Sequence, residues 1–194
     1  FTSFRDSPDR RWLITSHEEV LQSWDLTQPH SAPVSYYGFT NSILSADFSS
    51  SGEFLAVGSW DETLHFWEPF DPSWSVTPII LEAEDGITLV VVSPSGRWLL
   101  YNVGDPDKTF ISDLRTQDRT PIQLAGITSD TNSAAFSPNE RWLVVGSSHG
   151  DIIVWDLTLQ KPFSQPFHLG SVRLGADELI FSSNGQFLIA KERD

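Results

Sequence analysis

The alternation of apolar and polar stretches is clearest in residues 137–157, which read SPNERWLVVGSSHGDIIVWDL. Two apolar runs of strand length, at 143–145 and 152–154, are each bounded by turn residues, and the tight turn 148–150 separates them. Short apolar runs that are rich in β-branched residues and bounded by turn residues are typical of strands rather than of a helix. The segment therefore predicts a β-hairpin with both faces covered.

The same pattern recurs along the chain with a nearly constant period. Each copy has a turn serine and then an aromatic-leucine pair, and in the first four copies a second strand ends at an acidic residue. Successive turn serines lie 42, 44, 44 and 45 residues apart, and six of the eight tryptophans occupy two recurring positions. The serines are Ser7, Ser49, Ser93, Ser137 and Ser182; the pairs are Trp12-Leu13, Phe54-Leu55, Trp98-Leu99, Trp142-Leu143 and Phe187-Leu188; the strand ends are Trp24-Asp25, Trp67-Glu68, Ser112-Asp113 and Trp155-Asp156. Such a period predicts a repeat protein.

Five copies are expected, and the last of them is truncated. They cover about residues 1–33, 34–78, 79–121, 122–165 and 166–194. The third copy is the most degenerate, because Ser112 stands where a tryptophan is expected. Short outer strands are predicted between the copies, at about residues 77–81, 121–124 and 163–168, in or after loops that contain proline.

The repeat resembles the WD repeat of β-propellers, which has a period of about 40–45 residues and four strands per blade. The resemblance covers essentially the whole chain and rests on the turn serines, the aromatic-leucine pairs, the Gly-Ser dipeptides 58–59 and 146–147, the turn residue Asp61 and the closing Trp-Asp pairs. It implies an all-β fold, a partial β-propeller domain of about four and a half four-stranded antiparallel WD-type blades over residues 1–194. The sequence of the repeats is also similar to that of repeats in large bacterial multidomain proteins.

The chain departs from the family pattern in one respect. The Gly-His dipeptide that opens a WD repeat is missing, and Gly38-Phe39 stands at one of the corresponding places. In the family, that histidine belongs to a buried polar network, of which Ser59, Asp61 and Trp67 supply the remaining members in the second copy. We therefore expect blades that are held mainly by apolar packing. The recurring tryptophans are expected to pack between neighbouring blades: Trp12, Trp24, Trp67, Trp98, Trp142 and Trp155.

Four and a half blades fall short of the seven that are commonest in this resemblance. An unclosed ring would leave a blade with an exposed apolar face and unpaired strand edges. We expect the remaining blades to come from the same, longer chain, or else from another chain.

Charge and composition narrow the range of partners. Twelve lysines and arginines against 26 aspartates and glutamates give a net charge of −14, and such a chain repels the phosphate backbone of nucleic acids. The absence of cysteine removes thiolate metal sites. No apolar run approaches the roughly 18 residues that span a membrane, and no signal-peptide pattern is present. We expect a cytoplasmic protein without nucleic-acid or membrane partners, cofactors or bound metal.

Candidate binding residues concentrate in the turns that line one rim of a propeller, the usual binding face of the family. Trp60 is either an anchor for a partner or a loop-packing residue. His149 and His17 are either ordinary turn residues or residues that act as a proton shuttle or a ligand. The acidic residues are either solvated turn carboxylates or a surface that attracts a basic protein or peptide. They are Glu18, Glu19, Asp61, Glu62, Glu84, Asp85, Asp105, Asp107 and Asp130. Residues 105–107 lack the glycine and the later glutamate of a calcium loop.

A second aromatic pair lies in the long proline-rich loop after the second copy. Phe70 and Trp74 either contact a partner on the opposite rim or pack under the second blade. No catalytic serine elbow, phosphate-binding glycine loop or zinc-binding histidine pair is present in the sequence.

The sequence favours a non-enzymatic WD-repeat interaction module, a scaffold that binds proteins or peptides or a sensor-regulatory domain of a larger signalling or effector protein. One alternative is a propeller attached to a hydrolase or oxidoreductase, where it shapes access to the active site. Another is a purely structural assembly scaffold.

Overall fold

The computed structural model describes residues 4–68, 70–104, 108–116, 118–159 and 162–192. These residues form eighteen β-strands and one short 3-10 helix, Pro162–Ser164, so the predicted all-β class is confirmed. The strands are β1 Phe4–Asp6, β2 Trp12–His17, β3 Val20–Asp25, β4 Val34–Tyr36, β5 Ile43–Phe48, β6 Leu55–Ser59, β7 Thr63–Trp67, β8 Ile79–Glu82, β9 Ile87–Val92, β10 Trp98–Val103, β11 Thr109–Asp113, β12 Ile122–Gln123, β13 Thr131–Phe136, β14 Trp142–Ser147, β15 Asp151–Asp156, β16 Phe167–Ser171, β17 Ala176–Phe181 and β18 Leu188–Glu192.

The chain divides into two compact units, Phe1–Val92 and Ser93–Asp194. In the first unit, two four-stranded antiparallel sheets have the orders β1-β2-β3-β4 and β5-β6-β7-β8, and β9 packs against β5 and β6. In the second unit, β10, β11 and β12 pair in that order, a four-stranded sheet has the order β13-β14-β15-β16, and β17 pairs with β18. β17 also packs against β13 and β14.

The boundaries of the sheets do not coincide with those of the sequence copies, but differ from them by one strand. Val34–Tyr36 opens the second copy, but as β4 it pairs with β3 of the first sheet. In the same way, β8 pairs with β7, β12 with β11 and β16 with β15, although each of these outer strands lies at or near the start of the following copy. Each outer strand therefore completes the sheet of the copy that precedes it.

The turn serine has the same structural role in all five copies. Its Oγ accepts a hydrogen bond from the backbone N–H of the aromatic residue five positions later, and its own N–H donates to the carbonyl of that residue. The residue three positions after the serine has a left-handed backbone, and here it is Arg10, Gly52, Gly96, Glu140 or Gly185. These bonds close the turn between the first two strands of a sheet and explain why the serine recurs.

The glycine of the Gly-Ser dipeptide is required by close packing between sheets. A Cβ atom on Gly58 would lie 2.5 Å from Cγ2 of Ile87 in β9, and one on Gly146 would lie 2.6 Å from Cβ of Ala176 in β17. Real Cβ atoms do not approach other atoms so closely. Glycine therefore allows the first strand of the next sheet to rest against the backbone of the preceding one.

An arginine lies over the first recurring tryptophan in three of the copies. Its guanidinium carbon is 4.4–4.9 Å from the indole centroid, and an aspartate at the end of the neighbouring strand accepts a hydrogen bond from the same guanidinium. The three sets are Arg11, Trp12 and Asp25; Arg97, Trp98 and Asp113; and Arg141, Trp142 and Asp156. We call this arrangement the Arg-Trp-Asp clamp.

Candidate functional site

The six recurring tryptophans differ in burial. Trp67 and Trp155 are fully buried and Trp98 is nearly so, whereas Trp12 and Trp142 are partly covered beneath the arginines of their clamps. Trp24 is 36% exposed, and its indole N–H donates to Thr15 Oγ1 at 2.9 Å.

The polar network of the second copy contains Ser59 and Asp61 but not Trp67. Ser59 Oγ donates to the carbonyl oxygens of residues 41 and 42 at 3.1 Å and accepts the N–H of Asp61 at 3.1 Å. The indole N–H of Trp67 is buried without a hydrogen-bond partner in the described part of the chain. The expectation that Trp67 joins the network is therefore wrong, because its ring packs instead into an aromatic cluster with Tyr36, His65 and Trp74.

Asp61 fixes the turn between β6 and β7. Its carboxylate accepts the N–H of Thr40 at 2.8 Å, the N–H of Thr63 at 3.1 Å and the hydroxyl of Thr63 at 2.5 Å. Burial opposes the ionisation of Asp61, but these hydrogen bonds outweigh it and lower the pKa of the carboxyl group. A charged Asp61 therefore joins this turn to the segment that precedes β5.

The sequence did not point to His65, which occupies the centre of the aromatic cluster. The residue is only 1% exposed, its ring stacks on Phe39 with centroids 4.1 Å apart, and its Nδ1 lies 3.1 Å from the hydroxyl of Tyr36. Burial lowers the pKa of His65 to about 4, although the charge of Asp61 acts in the opposite direction. Its position between the apolar residues Leu64 and Phe66 is the only signal that the sequence offered.

The proline-rich loop packs under the second sheet. Phe70 and Trp74 contact the buried core of this unit, and Phe70 meets Phe48 edge to face with centroids 5.0 Å apart. The indole N–H of Trp74 donates to the carbonyl of Val34 at 3.1 Å. The structure thus supports packing for this aromatic pair.

Trp60 lies at the exposed turn between β6 and β7. The residue is 46% exposed, and the six-membered ring of its indole packs against Gly86, where an added Cβ would overlap ring atom Cε3. The backbone N–H of Trp60 donates to the carbonyl of Ser42 at 2.9 Å, and the N–H of Ile43 donates to the carbonyl of Glu18 at 2.9 Å. The turns that hold Glu18 and Trp60 therefore meet on either side of residues 42–43.

Acidic residues of the first unit lie in this turn and in the segments that contact it. Glu62 follows Asp61 and has a left-handed backbone, and Asp85 accepts the N–H of Gly86, on which the indole rests. We define the Trp60 rim as Trp60 together with Glu18, Asp61, Glu62, Glu84 and Asp85. All of these residues are exposed except Asp61, which is half-buried.

The remaining candidates fall elsewhere. Asp130 and His149 are both exposed in the second unit, where the N–H of Ser148 donates to the carbonyl of Asp130 at 2.7 Å. His17 is the last residue of β2 and Glu19 lies in the turn that follows; both are exposed. Asp105 and Asp107 lie outside the described residues.

Metal and membrane sites are not found in the part of the chain that the structure describes. No group of three or more histidine, aspartate or glutamate side chains is placed there to hold a metal ion. No helix among the same residues is long and apolar enough to cross a lipid bilayer.

Comparison with known families and structures agrees with this architecture. The model of the "WD domain, G-beta repeat" family matches residues 31–68 and 121–156. The chain is also similar to the β-propeller domain of Cps50 (Swd1) from Myceliophteria thermophila, with a TM-score of 0.78 and 14% identity over 98% of this chain and 62% of that one.

Several curated proteins share sequence similarity with the chain. The target of rapamycin complex subunit wat1 of Schizosaccharomyces pombe is 27% identical over 69% of this chain and 41% of its own length. The mouse subunit LST8 is 26% identical, over 78% and 46%. The guanine nucleotide-binding protein subunit beta-1 of Nicotiana tabacum is 29% identical, over 79% and 42%. The chain spans less than half the length of these relatives.

The sheets, the recurring turns and these similarities together define a WD-repeat protein. Residues 31–68 and 121–156 match the WD-repeat family model, and the relatives and the structural neighbour support a WD-repeat propeller family for the chain. Its described blades form part of such a propeller.

Proposed function

We propose that the chain is a non-catalytic, protein-binding WD-repeat module that uses the Trp60 rim to hold its partner. The observation that carries this proposal is the exposed indole of Trp60, which rests on Gly86 in a turn fixed by hydrogen bonds. Tryptophan is enriched among the residues that dominate binding energy at interfaces. A rigid support reduces the entropy that is lost when the indole is covered by a partner.

Two further observations support protein binding. The relatives wat1, LST8 and guanine nucleotide-binding protein subunit beta-1 are all named as subunits. The Trp60 rim is acidic, and an acidic surface speeds the approach of basic partners and suppresses acidic ones. A basic protein or peptide is therefore the proposed partner.

A regulatory role is the finer part of the proposal. A module of this kind controls an attached or associated domain only if the partner binds two states of the assembly with different affinity. Measuring the affinity of the partner for the assembly in each activity state tests this part. Equal affinities would contradict the regulatory role and leave protein binding intact.

Charge reversal on the rim tests the proposal for partner binding. In one variant, Glu18, Glu62 and Asp85 are replaced by lysine; Asp61 is kept because its carboxylate holds the turn. The control variant replaces the exposed residues Asp6, Glu53 and Glu68 by lysine, which changes the net charge by the same amount at the opposite ends of the strands. Proteins captured by the wild-type chain should be lost by the rim variant and retained by the control. Retention by both variants would contradict the proposal.

A further inference from the structure

The Arg-Trp-Asp clamp shows how this chain holds a guanidinium against an indole. In the clamp of the third copy, the guanidinium carbon of Arg97 lies 4.4 Å from the Trp98 centroid while Asp113 accepts from Nη2 at 2.9 Å. The clamps of the first and fourth copies repeat this arrangement with Asp25 and Asp156. Tryptophan face and carboxylate act together, because the ring attracts the cation and the carboxylate accepts its hydrogen bonds.

Trp60 has part of this arrangement but no arginine. Among the described residues, no lysine or arginine contacts its ring. Gly86 packs against the six-membered ring of the indole, and 46% of Trp60 remains exposed. Asp85 immediately precedes Gly86, and Glu62 lies two residues after Trp60. One carboxylate is thus close in the chain to the exposed tryptophan, and another to the glycine that packs against it.

The charge of the first unit at this rim has one sign only. The segments 17–19, 37–42, 60–62 and 83–86 contain six aspartates and glutamates and no lysine or arginine. By contrast, residues 172–175 of the second unit, which precede β17 as residues 83–86 precede β9, contain Arg173. The positive charge that would complete a clamp at Trp60 is therefore absent from these segments.

We infer that Trp60 binds an arginine side chain of the partner, stacked on its indole and hydrogen-bonded to a neighbouring carboxylate. The inference rests on the proposed function and names the chemistry that the Trp60 rim recognises. Arginine fits better than lysine because its planar guanidinium stacks on the indole and offers several donors in a fixed fork to carboxylates. The three internal clamps all use arginine.

The test follows the indole N–H signals of the full chain by NMR during titration with three short neutral-flanked peptides. They contain one arginine, one lysine or one citrulline, which keeps the shape of arginine without its charge. The Trp60 signal is assigned by its loss in Trp60→Phe. We expect it to shift saturably with the arginine peptide, at least threefold more weakly with lysine, and not at all with citrulline.

Two further measurements make the result specific. The signal of Trp24, the other exposed indole of the unit, should not move, because its N–H is bonded to Thr15. Asp85→Asn together with Glu62→Gln should weaken arginine binding about tenfold without changing the unfolding transition. A Trp60 signal that stays still, or that moves equally with all three peptides, would overturn the inference.

The outcomes separate this inference from the proposed function. If the charge-reversed rim loses its partners while Trp60 ignores arginine, the rim binds proteins by other contacts and only the inference fails. If Trp60 binds the arginine peptide but charge reversal loses no partner, the arginine site is real and the proposed function is wrong.

Discussion

The indole of Trp60 lies directly on Gly86, so that a Cβ atom at position 86 would overlap the ring. This contact supports the exposed tryptophan from below, while hydrogen bonds to Ser42 and Thr40 hold the turn from the side. A side chain at position 86 has to displace the indole or the strand that follows. The presentation of Trp60 thus depends on a residue that would not itself touch a partner.

Gly86→Ala tests this support. We expect the variant to weaken partner binding nearly as much as Trp60→Ala, because the new Cβ displaces the indole from its contact with residue 86. Local overpacking should also lower the free energy of unfolding by about 1 kcal/mol. Binding is measured by calorimetry and stability by urea denaturation. Unchanged affinity in a folded Gly86→Ala variant would show that partner binding does not require the contact between Trp60 and Gly86.

Gly146→Ala tests the close approach of neighbouring sheets. The new Cβ would lie 2.6 Å from Cβ of Ala176 and 2.8 Å from Oγ of Ser133. We expect a loss of about 1–3 kcal/mol in the free energy of unfolding, which is typical of overpacking. Adding Ala176→Gly removes one of the colliding atoms and should restore part of the loss. A double variant as unstable as the sum of the single ones would contradict this explanation.

The turn serine is tested by comparing two of its copies. Ser137 is fully buried and its Oγ accepts the N–H of Trp142 at 2.9 Å, whereas Ser182 is partly exposed and accepts the N–H of Phe187 at 3.0 Å. Ser137→Ala should lower the free energy of unfolding by about 1–3 kcal/mol, because a buried donor is left without a partner. Ser182→Ala should cost less, since water can replace the lost acceptor. Equal losses in urea denaturation would contradict the assigned role.

The sequence predicted the parts of the fold that repeat. Each turn serine and the aromatic residue five positions later occupy a fixed place in their sheet, because the hydrogen bonds that join them are local. The pairing of β4 with β3 was not evident from the pattern. An outer strand of three residues carries too little alternation to show which neighbour it joins.

Side-chain contacts within the second sheet were predicted less well. Trp67 was expected to join a polar network, but it packs against Tyr36, which lies 31 residues earlier, and against Trp74 of the following loop. The sequence pattern did not indicate a role for His65, because its partners Tyr36 and Phe39 are 29 and 26 residues away in the sequence. Contacts of this kind depend on tertiary packing and leave no periodic signal.

His65 predicts a specific sensitivity to acid. Its pKa is about 4 in the folded chain against an ordinary value of 6.5, so folding favours the neutral ring. The associated stability is complete above pH 6.5 and is lost as the pH falls from 6.5 through 4. The full shift corresponds to about 3 kcal/mol.

The variant His65→Phe removes this titration while it keeps an aromatic ring beside Phe39. Between pH 7 and pH 4, the wild-type chain should lose up to about 3 kcal/mol more of its free energy of unfolding than the variant does. His149→Gln, which replaces an exposed histidine of the second unit, serves as the control variant. Equal pH slopes for the wild type and His65→Phe would contradict the buried neutral imidazole.

The most direct test of the account is the dissociation constant of a captured partner for the wild-type chain and for Trp60→Ala. Trp24→Ala serves as the control, since it removes an exposed tryptophan of the same unit outside the Trp60 rim. If Trp60 anchors the partner, its removal should weaken binding at least tenfold, which corresponds to about 1.4 kcal/mol or more, while the control stays within twofold of the wild type. A Trp60→Ala variant that folds normally and binds within twofold of the wild type would contradict the claim that this rim is the binding surface.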